Sequence, residues 1–292
     1  MEQFKGRIGL VVLLIAVLGL VTFGRTFLAA EKFVSDGSLK FWIFDIGQGD
    51  SLLIDTPEHH EILIDGGPDQ TVLTRLSQAL PPGDKTIDLV ILTHDHADHL
   101  TGLNYVLQRY TVKQIWDSGA TEDSTTYRNF VKLVAQKQIP VTNVTLGVKQ
   151  SFGALTGIVL TPSSSMVGLK PGNQHDANVM TYWQYGKETF LLTGDGETPA
   201  EQALLAQGLV QPVAILKVGH HGSATSSSEA FLKALKPKIA VISVALHNKY
   251  GLPNAGVLAR YSALNIPLLQ TRYDGTIEFS VWPDRFTYAT HR

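Results

Sequence analysis

The sequence contains no cysteine. Disulfide frameworks, structural zinc ribbons and thiol nucleophiles are thereby excluded, and any metal site must be built from His, Asp and Glu. Such a donor set suits zinc, manganese or iron. Freedom from thiols also suits a life outside the cytoplasm. Neither sign of charge predominates: 24 Lys and Arg oppose 26 Asp and Glu, for a net charge of −2. A broad basic surface for sequence-independent nucleic-acid binding is therefore missing from the composition, which leaves room for no more than a local basic cleft. There is no low-complexity tract, linker or short-period repeat. What is present is ordinary globular material: 292 residues, 44% hydrophobic, enough for a sizeable core.

One long apolar run stands out, from Ile8 to Phe23, preceded by Lys5 and Arg7 and closed by Arg25. As a helix its 16 residues span about 24 Å, slightly short of a hydrocarbon core of about 30 Å. It can be read as an uncleaved signal anchor, a signal peptide or a buried core helix. Leu28 in Phe27-Leu28-Ala29-Ala30 occupies a position where signal cleavage prefers a small residue, so the anchor is the preferred reading. Lys5 and Arg7 would then stay cytoplasmic. The expected division is a cytoplasmic tip, hydrophobic anchor helix and short connection over 1–37, and one domain over 38–292. The protein would be a single-pass cell-membrane protein with that domain extracytoplasmic, or secreted if the segment is cleaved.

From Ser38 onward the pattern changes. Strands are predicted at Leu39–Ile43, Ser51–Ile54, Glu61–Ile64 and, near-continuously apolar, Ile87–Leu92; a helix is predicted at Gln70–Ala79, ended by Pro81-Pro82-Gly83. A helix continues through Asn104–Tyr110, a short strand follows at Gln114–Trp116, and an amphipathic helix at Tyr127–Gln138. Strands at Leu155–Thr161, Val179–Tyr185, Thr189–Leu192, Val213–Val218 and Ile239–Val244 then alternate with helices at Pro199–Gln207, Ser227–Leu235 and Asn254–Leu264. The stretch Leu268–Trp282 is strand-rich, with a turn at Asp274-Gly275. Each half begins with hairpin-like strands and passes into strand–helix alternation, which predicts an α+β domain of two facing sheets with helices outside. Gly47-Gln48-Gly49-Asp50 lacks the Lys-Ser/Thr ending of a phosphate-binding loop and reads as a tight turn between strands.

Chemistry concentrates in His94-Asp95-His96-Ala97-Asp98-His99, directly after a buried strand. Three imidazoles and two carboxylates in six positions are too costly for a core without partners. In an extended chain the alternation of His94 and His96 would point both imidazoles the same way, and a turn into a helix would bring Asp98 and His99 alongside. Two imidazoles for one cation, and a carboxylate plus an imidazole for a second, is the natural division; such metals sit about 3.5–4 Å apart.

The His-x-His-x-Asp-His motif after a buried strand resembles the signature of the metallo-β-lactamase superfamily. Three further features match: Asp65 in Ile64-Asp65-Gly66-Gly67, Asp195 in Leu192-Thr193-Gly194-Asp195, and His220-His221 in Lys217-Val218-Gly219-His220-His221-Gly222-Ser223. Together with Phe44-Asp45-Ile46-Gly47-Gln48-Gly49-Asp50-Ser51 and Thr271–Ile277, these stretches are similar to the C-terminal domain of ComEC, the competence DNA-uptake channel. The resemblance runs from about Leu39 to the C-terminus. It implies a four-layer αββα sandwich preceded by one N-terminal hydrophobic helix.

It also implies two divalent metal ions, zinc with manganese as the alternative, held by His94, His96, Asp98, His99, Asp195 and His220. Asp195 would bridge the cations. One of His220 and His221 would be a ligand and the other a proton-transfer group; His220 is the preferred ligand, leaving His221 with Asp98 and Asp65 as the catalytic set. Asp65 would orient a ligand or water. His175, the nearest histidine before Asp195, reads as a loop residue. Tyr250-Gly251-Leu252-Pro253 departs from the branch's usual Tyr-Gly-His-Pro; His247 could replace the lost imidazole if its loop folds back, and Asn248 and Tyr250 could contact phosphate. The implied function is a metal-dependent hydrolase, a phosphodiesterase or nuclease working outside the membrane on a phosphoester such as DNA. The alternative is a non-catalytic accessory module of a DNA-uptake or cell-surface complex.

Overall fold

Apolar residues at alternate positions build two facing sheets. The computed structural model describes residues 36–292. The expected N-terminal anchor helix lies outside these residues; among them, no helix is long and apolar enough to cross a membrane. The first half runs β1 (Leu39–Ile43), β2 (Leu52–Asp55), β3 (Glu61–Ile64), α1 (Thr71–Ala79), β4 (Thr86–Ile87), β5 (Leu89–Ile91), α2 (Ala97–Arg109), β6 (Thr111–Val112), β7 (Ile115–Asp117), α3 (Thr125–Lys137) and β8 (Val141–Asn143). The second half runs β9 (Lys149–Phe152), β10 (Leu155–Val159), β11 (Thr181–Tyr185), β12 (Glu188–Leu192), α4 (Thr198–Ala206), β13 (Ile215–Lys217), α5 (Glu229–Leu235), β14 (Ile239–Ile242), α6 (Ala255–Ala263), β15 (Leu268–Gln270), a single turn α7 (Thr271–Asp274), β16 (Thr276–Trp282) and β17 (Arg285–His291).

One sheet has the order β17-β16-β1-β2-β3-β5-β7-β8, the other β15-β14-β13-β12-β11-β10-β9, and β4 pairs with β6 separately. Side chains alternate between faces along a strand. Phe41, Ile54, Ile62 and Ile91 of the first sheet therefore meet Trp183, Phe190, Leu192 and Val241 of the second in a shared inner core. Phe41 stacks on Phe190 across the gap, ring centroids 5.4 Å apart. The intervening residues face outward: Leu53, Leu63 and Val90 pack under α1, α2 and α3, while Leu191, Leu216 and Ile242 pack under α4, α5 and α6. The layers are helix, sheet, sheet, helix.

Both sheets change from antiparallel to parallel pairing. β1, β2 and β3 are antiparallel, whereas β5 and β7 run parallel to β3. Likewise β10, β11 and β12 are antiparallel, whereas β13 and β14 run parallel to β12. The segments leaving β3, β5, β12, β13 and β14 consequently emerge along one edge of the sandwich, where open parallel sheets place their sites.

One departure from the predicted elements has a local cause. The expected strand Ile87–Leu92 breaks at Asp88, whose carboxylate turns to accept from Glu61 N (3.1 Å) and Lys113 Nζ (2.6 Å). The second helix begins at Ala97, so Asp98 lies in its first turn, where a carboxylate suits the helix dipole.

Candidate metal centre

Each candidate ligand is carried by a segment leaving the same sandwich edge. Asp65 follows β3, the His94–His99 loop follows β5 and opens α2, Asp195 follows β12, and His220-His221 follow β13. His175 sits in a single turn, Gln174–Ala177, just before β11. Among the overlapping ligand groups that result, two flank Asp195 on opposite sides. His94, His96, His175 and Asp195 offer ligand atoms within 4.8 Å of one another, as do Asp98, His99 and His221. Asp195 faces both groups with different oxygens. Its Oδ2 lies 3.9 Å from His94 Nε2 and 3.7 Å from His175 Nε2. Its Oδ1 lies 3.4 Å from His99 Nε2 and 3.5 Å from His221 Nε2. His221 Nε2 is also 3.3 Å from Asp98 Oδ2.

These residues fit cations. His94 Nε2, His99 Nε2, His175 Nε2, His221 Nε2 and Asp195 Oδ1 are buried without a hydrogen-bond partner. Each such atom costs on the order of 1–3 kcal/mol unless something satisfies it. Donors about 2.0–2.2 Å from a tetrahedral zinc are separated by about 3.3–3.6 Å, close to the spacings around Asp195 Oδ1.

The rear ring nitrogens are fixed, which sets which nitrogen faces the cations. His99 Nδ1 is 2.7 Å from Asp65 Oδ2. Asp65 is held in turn by Thr93 N (2.8 Å) and Thr93 Oγ1 (2.7 Å). His221 Nδ1 donates to Ser243 O at 2.9 Å. Asn178 accepts from Asp195 N (3.0 Å) and donates to Thr193 O (2.8 Å), pinning the Asp195 turn.

The two groups differ electrostatically. Burial pushes His94 well below the ordinary imidazole range, with the His99 charge adding to it, and burial lowers His96 and His175 as well. The lowering favours the neutral form of all three, the form that binds metal. Burial also opposes the charged form of His99 and His221, but carboxylates overcome it. Asp195 and Asp65 hold His99 well above its usual value, and Asp195, Asp50 and Asp98 push His221 up to about 10. Asp195 is held well below the carboxylate range against its burial, chiefly by the His221 and His99 charges.

The geometry places the paired histidines differently, with His221 in the group of Asp98 and His99 and His220 in a further candidate group with His175 and Glu197. His221 is buried and its Nε2 points at Asp98 and Asp195, whereas His220 stands at the rim, its Nδ1 3.2 Å from Glu197 Oε1 and its Nε2 3.8 Å from Asp195 Oδ2. Both adopt left-handed backbone, φ 47° and 51°, and this tight turn swings the second ring inward. His175, read as a loop residue, joins His94 and His96, and its Nδ1 lies 3.4 Å from Glu197 Oε1. His247 is exposed and belongs to no ligand group among the described residues. Asn248 is consumed by its own loop, donating to Ala245 O and Leu252 O and accepting from Tyr250 N and Leu252 N. Glu197, Asp50 and Lys217 were not anticipated. A lysine inside the apolar Ile215-Leu216-Lys217-Val218 run was the available signal for the last two.

The family described as the metallo-beta-lactamase superfamily matches residues 44–247. The chain is 28% identical over 254 residues to "ComE operon protein 3" of Bacillus subtilis, covering 81% of this chain and 32% of that protein. It is 29% identical over 243 residues to "Competence protein ComA" of Neisseria gonorrhoeae, covering 82% and 32%. The chain thus spans about a third of the length of these relatives. The metallo-beta-lactamase fold protein YhfI of Bacillus subtilis superimposes with a TM-score of 0.51 at 14% identity, covering 79% of this chain and 95% of that one, a likeness of fold.

Proposed function

The chain belongs to the metallo-β-lactamase superfamily, and from that premise we propose that it is a metal-dependent phosphodiesterase acting on nucleic acid. The observation that carries the reading is Asp195, with one carboxylate oxygen turned to each of two ligand groups. His94, His96 and His175 would hold one cation and Asp98, His99 and His221 the other. When bound, a pair of divalent ions, zinc or manganese, supplies an activated water and neutralises charge on the phosphoryl oxygens. Asp98, about a third exposed, can accept a hydrogen bond from water at the opening and orient it. His220, steadied through Nδ1 by Glu197 and Thr225, can hold a proton for the departing alkoxide.

A phosphodiester is favoured by the flank beside His221. The loop leaving β14, whose Ser243 O accepts from His221, lines an open groove of about 560 Å³ with His247, Lys249 and Arg272 and no acidic residue. Lys249 lies 5.1 Å from the Tyr250 ring centroid and Arg272 4.5 Å from that of Tyr273. Exposed rings beside cations suit bases and phosphates of a single strand. Similarity to competence proteins supports DNA as the polymer. We further propose that the domain, 38–292, works outside the membrane, tethered by the apolar run at 8–23.

The test is chelator-stripped protein reloaded with zinc or manganese and assayed on bis-p-nitrophenyl phosphate and on labelled single-stranded DNA. Metal-dependent turnover of both is expected. Lys249→Ala with Arg272→Ala should raise KM for DNA several-fold and leave KM for the small ester unchanged. Two bound cations with no turnover of either substrate would instead favour the accessory-module reading.

A further inference from the structure

Behind the second ligand group lies an ion pair that the proposed chemistry does not use. Lys217 and Asp50 are both 0% exposed, with Nζ 2.7 Å from Asp50 Oδ2. Lys217 also donates to Val218 O at 2.9 Å, and its carbonyl accepts from Thr193 Oγ1, so the lysine is tied at both ends. Asp50 Oδ1 is 3.4 Å from His221 Nδ1. A carboxylate oxygen of Asp50 lies within 4.8 Å of ligand atoms of Asp195 and His221, and likewise of Asp65 and His99. The backbone is coupled too, since Asp50 N donates to Asp98 O.

A buried carboxylate this close to a ligand set is itself a competent ligand for a divalent ion. Lys217 is its nearest cation, ahead of the His221 and His99 rings that also act on it, and neither oxygen accepts a well-aligned hydrogen bond among the described residues. We propose that Lys217 is an internal counter-cation that keeps Asp50 out of the second cation's coordination sphere and so sets that cation's affinity. The proposal rests on the two-cation reading above, but it concerns affinity and not turnover. Its sign follows from charge. The wild-type pair is neutral; removing the lysine leaves a net negative charge beside the cation, and removing the carboxylate leaves a net positive one.

The test titrates the chelator-stripped full chain with Mn2+, followed calorimetrically and by metal counting. Two binding steps are expected. Lys217→Met should tighten the second step by about tenfold, a size seen for groups behind metal ligands. Asp50→Asn should weaken it by about tenfold, and the double variant should return it close to wild type, with the first step moved little throughout. If Lys217→Met does not fold, Asp50→Asn and its recovery in the double variant carry the same test. Equal weakening in both single variants, no change in either, or a wild-type chain that binds one cation would overturn the proposal. Loss of phosphodiester turnover with this affinity pattern intact would count against the enzyme reading alone.

Discussion

Glu61 and Asp55 sit directly opposite one another across β2 and β3, at the end of the sheet away from the cation ligands. Both are nearly buried. Burial, followed by the neighbouring Asp88, Asp84 and Asp55, pushes Glu61 up to about 9. Burial raises Asp55 to about 6 in spite of His59, which lies 3.6 Å away. His60 and Lys113 face the same cluster through Asp88. Glu61 in an unfolded chain ionises near pH ~4.3. The folded chain therefore binds the extra proton, and its stability falls as pH rises from about 4 toward 9. Glu61→Gln, neutral at every pH, should flatten the decline of Tm between pH 6 and 9. It should also raise Tm at pH 8 by about 2–4 °C per kcal/mol recovered. Scanning calorimetry at fixed ionic strength checks this, and an unchanged slope in the variant would refute it. The same residue scale explains what sequence could not reveal at the site. The order of His220 and His221 depends on two left-handed φ angles, and His175 meets Asp195 through tertiary contact that no neighbouring residue announces.

Helix α2 owes its position to two glycines. Gly66 N donates to His99 O and Gly102 N to Gly67 O, bringing the helix backbone against the turn after β3. A Cβ on Gly102 would lie 1.7 Å from Gly66 O, and one on Gly66 would lie 2.4 Å from Leu103 N. Gly102→Ala must therefore displace the helix, at a cost of about 1–3 kcal/mol or more. Because His99 rides on that helix, affinity for the second cation should fall with Tm; differential scanning fluorimetry and metal titration read the two effects. Elements with strong apolar patterns were legible beforehand. β1 and β3 match the predicted ranges, and α1, α5 and α6 differ by a residue or two at their ends. The short edge strand β8 and the outer strand β17 were not anticipated. Their residues are largely solvent-facing and mixed in polarity, so no period of two marks them. The His94–His99 run was legible because its ligands are contiguous, whereas Glu197 and Asp50 act on rings far away in sequence.

On the scale of the whole molecule, the two sheets contribute to one centre. Asp98 and His99 leave the first sheet, and Asp195 and His221 leave the second. A cation bound only by the folded arrangement stabilises it by about 2.7 kcal/mol at a hundredfold excess over Kd. Chelation should then lower Tm by roughly 5–10 °C, and excess zinc or manganese should restore it; an unchanged Tm after verified metal removal would contradict this. The layer order was foreseeable from strand–helix alternation, but the convergence of both sheets' loops at one edge follows from pairing directions that a single sequence does not specify.

Because Asp195 belongs to one layer and His99 to the other, the spacing of their donor atoms gauges any slippage between the sheets. A shear of an ångström or two would spoil coordination long before either sheet lost its own ladder of hydrogen bonds. Leakage of the ion on gentle warming would then serve as an early warning of interlayer loosening, ahead of any change in secondary structure.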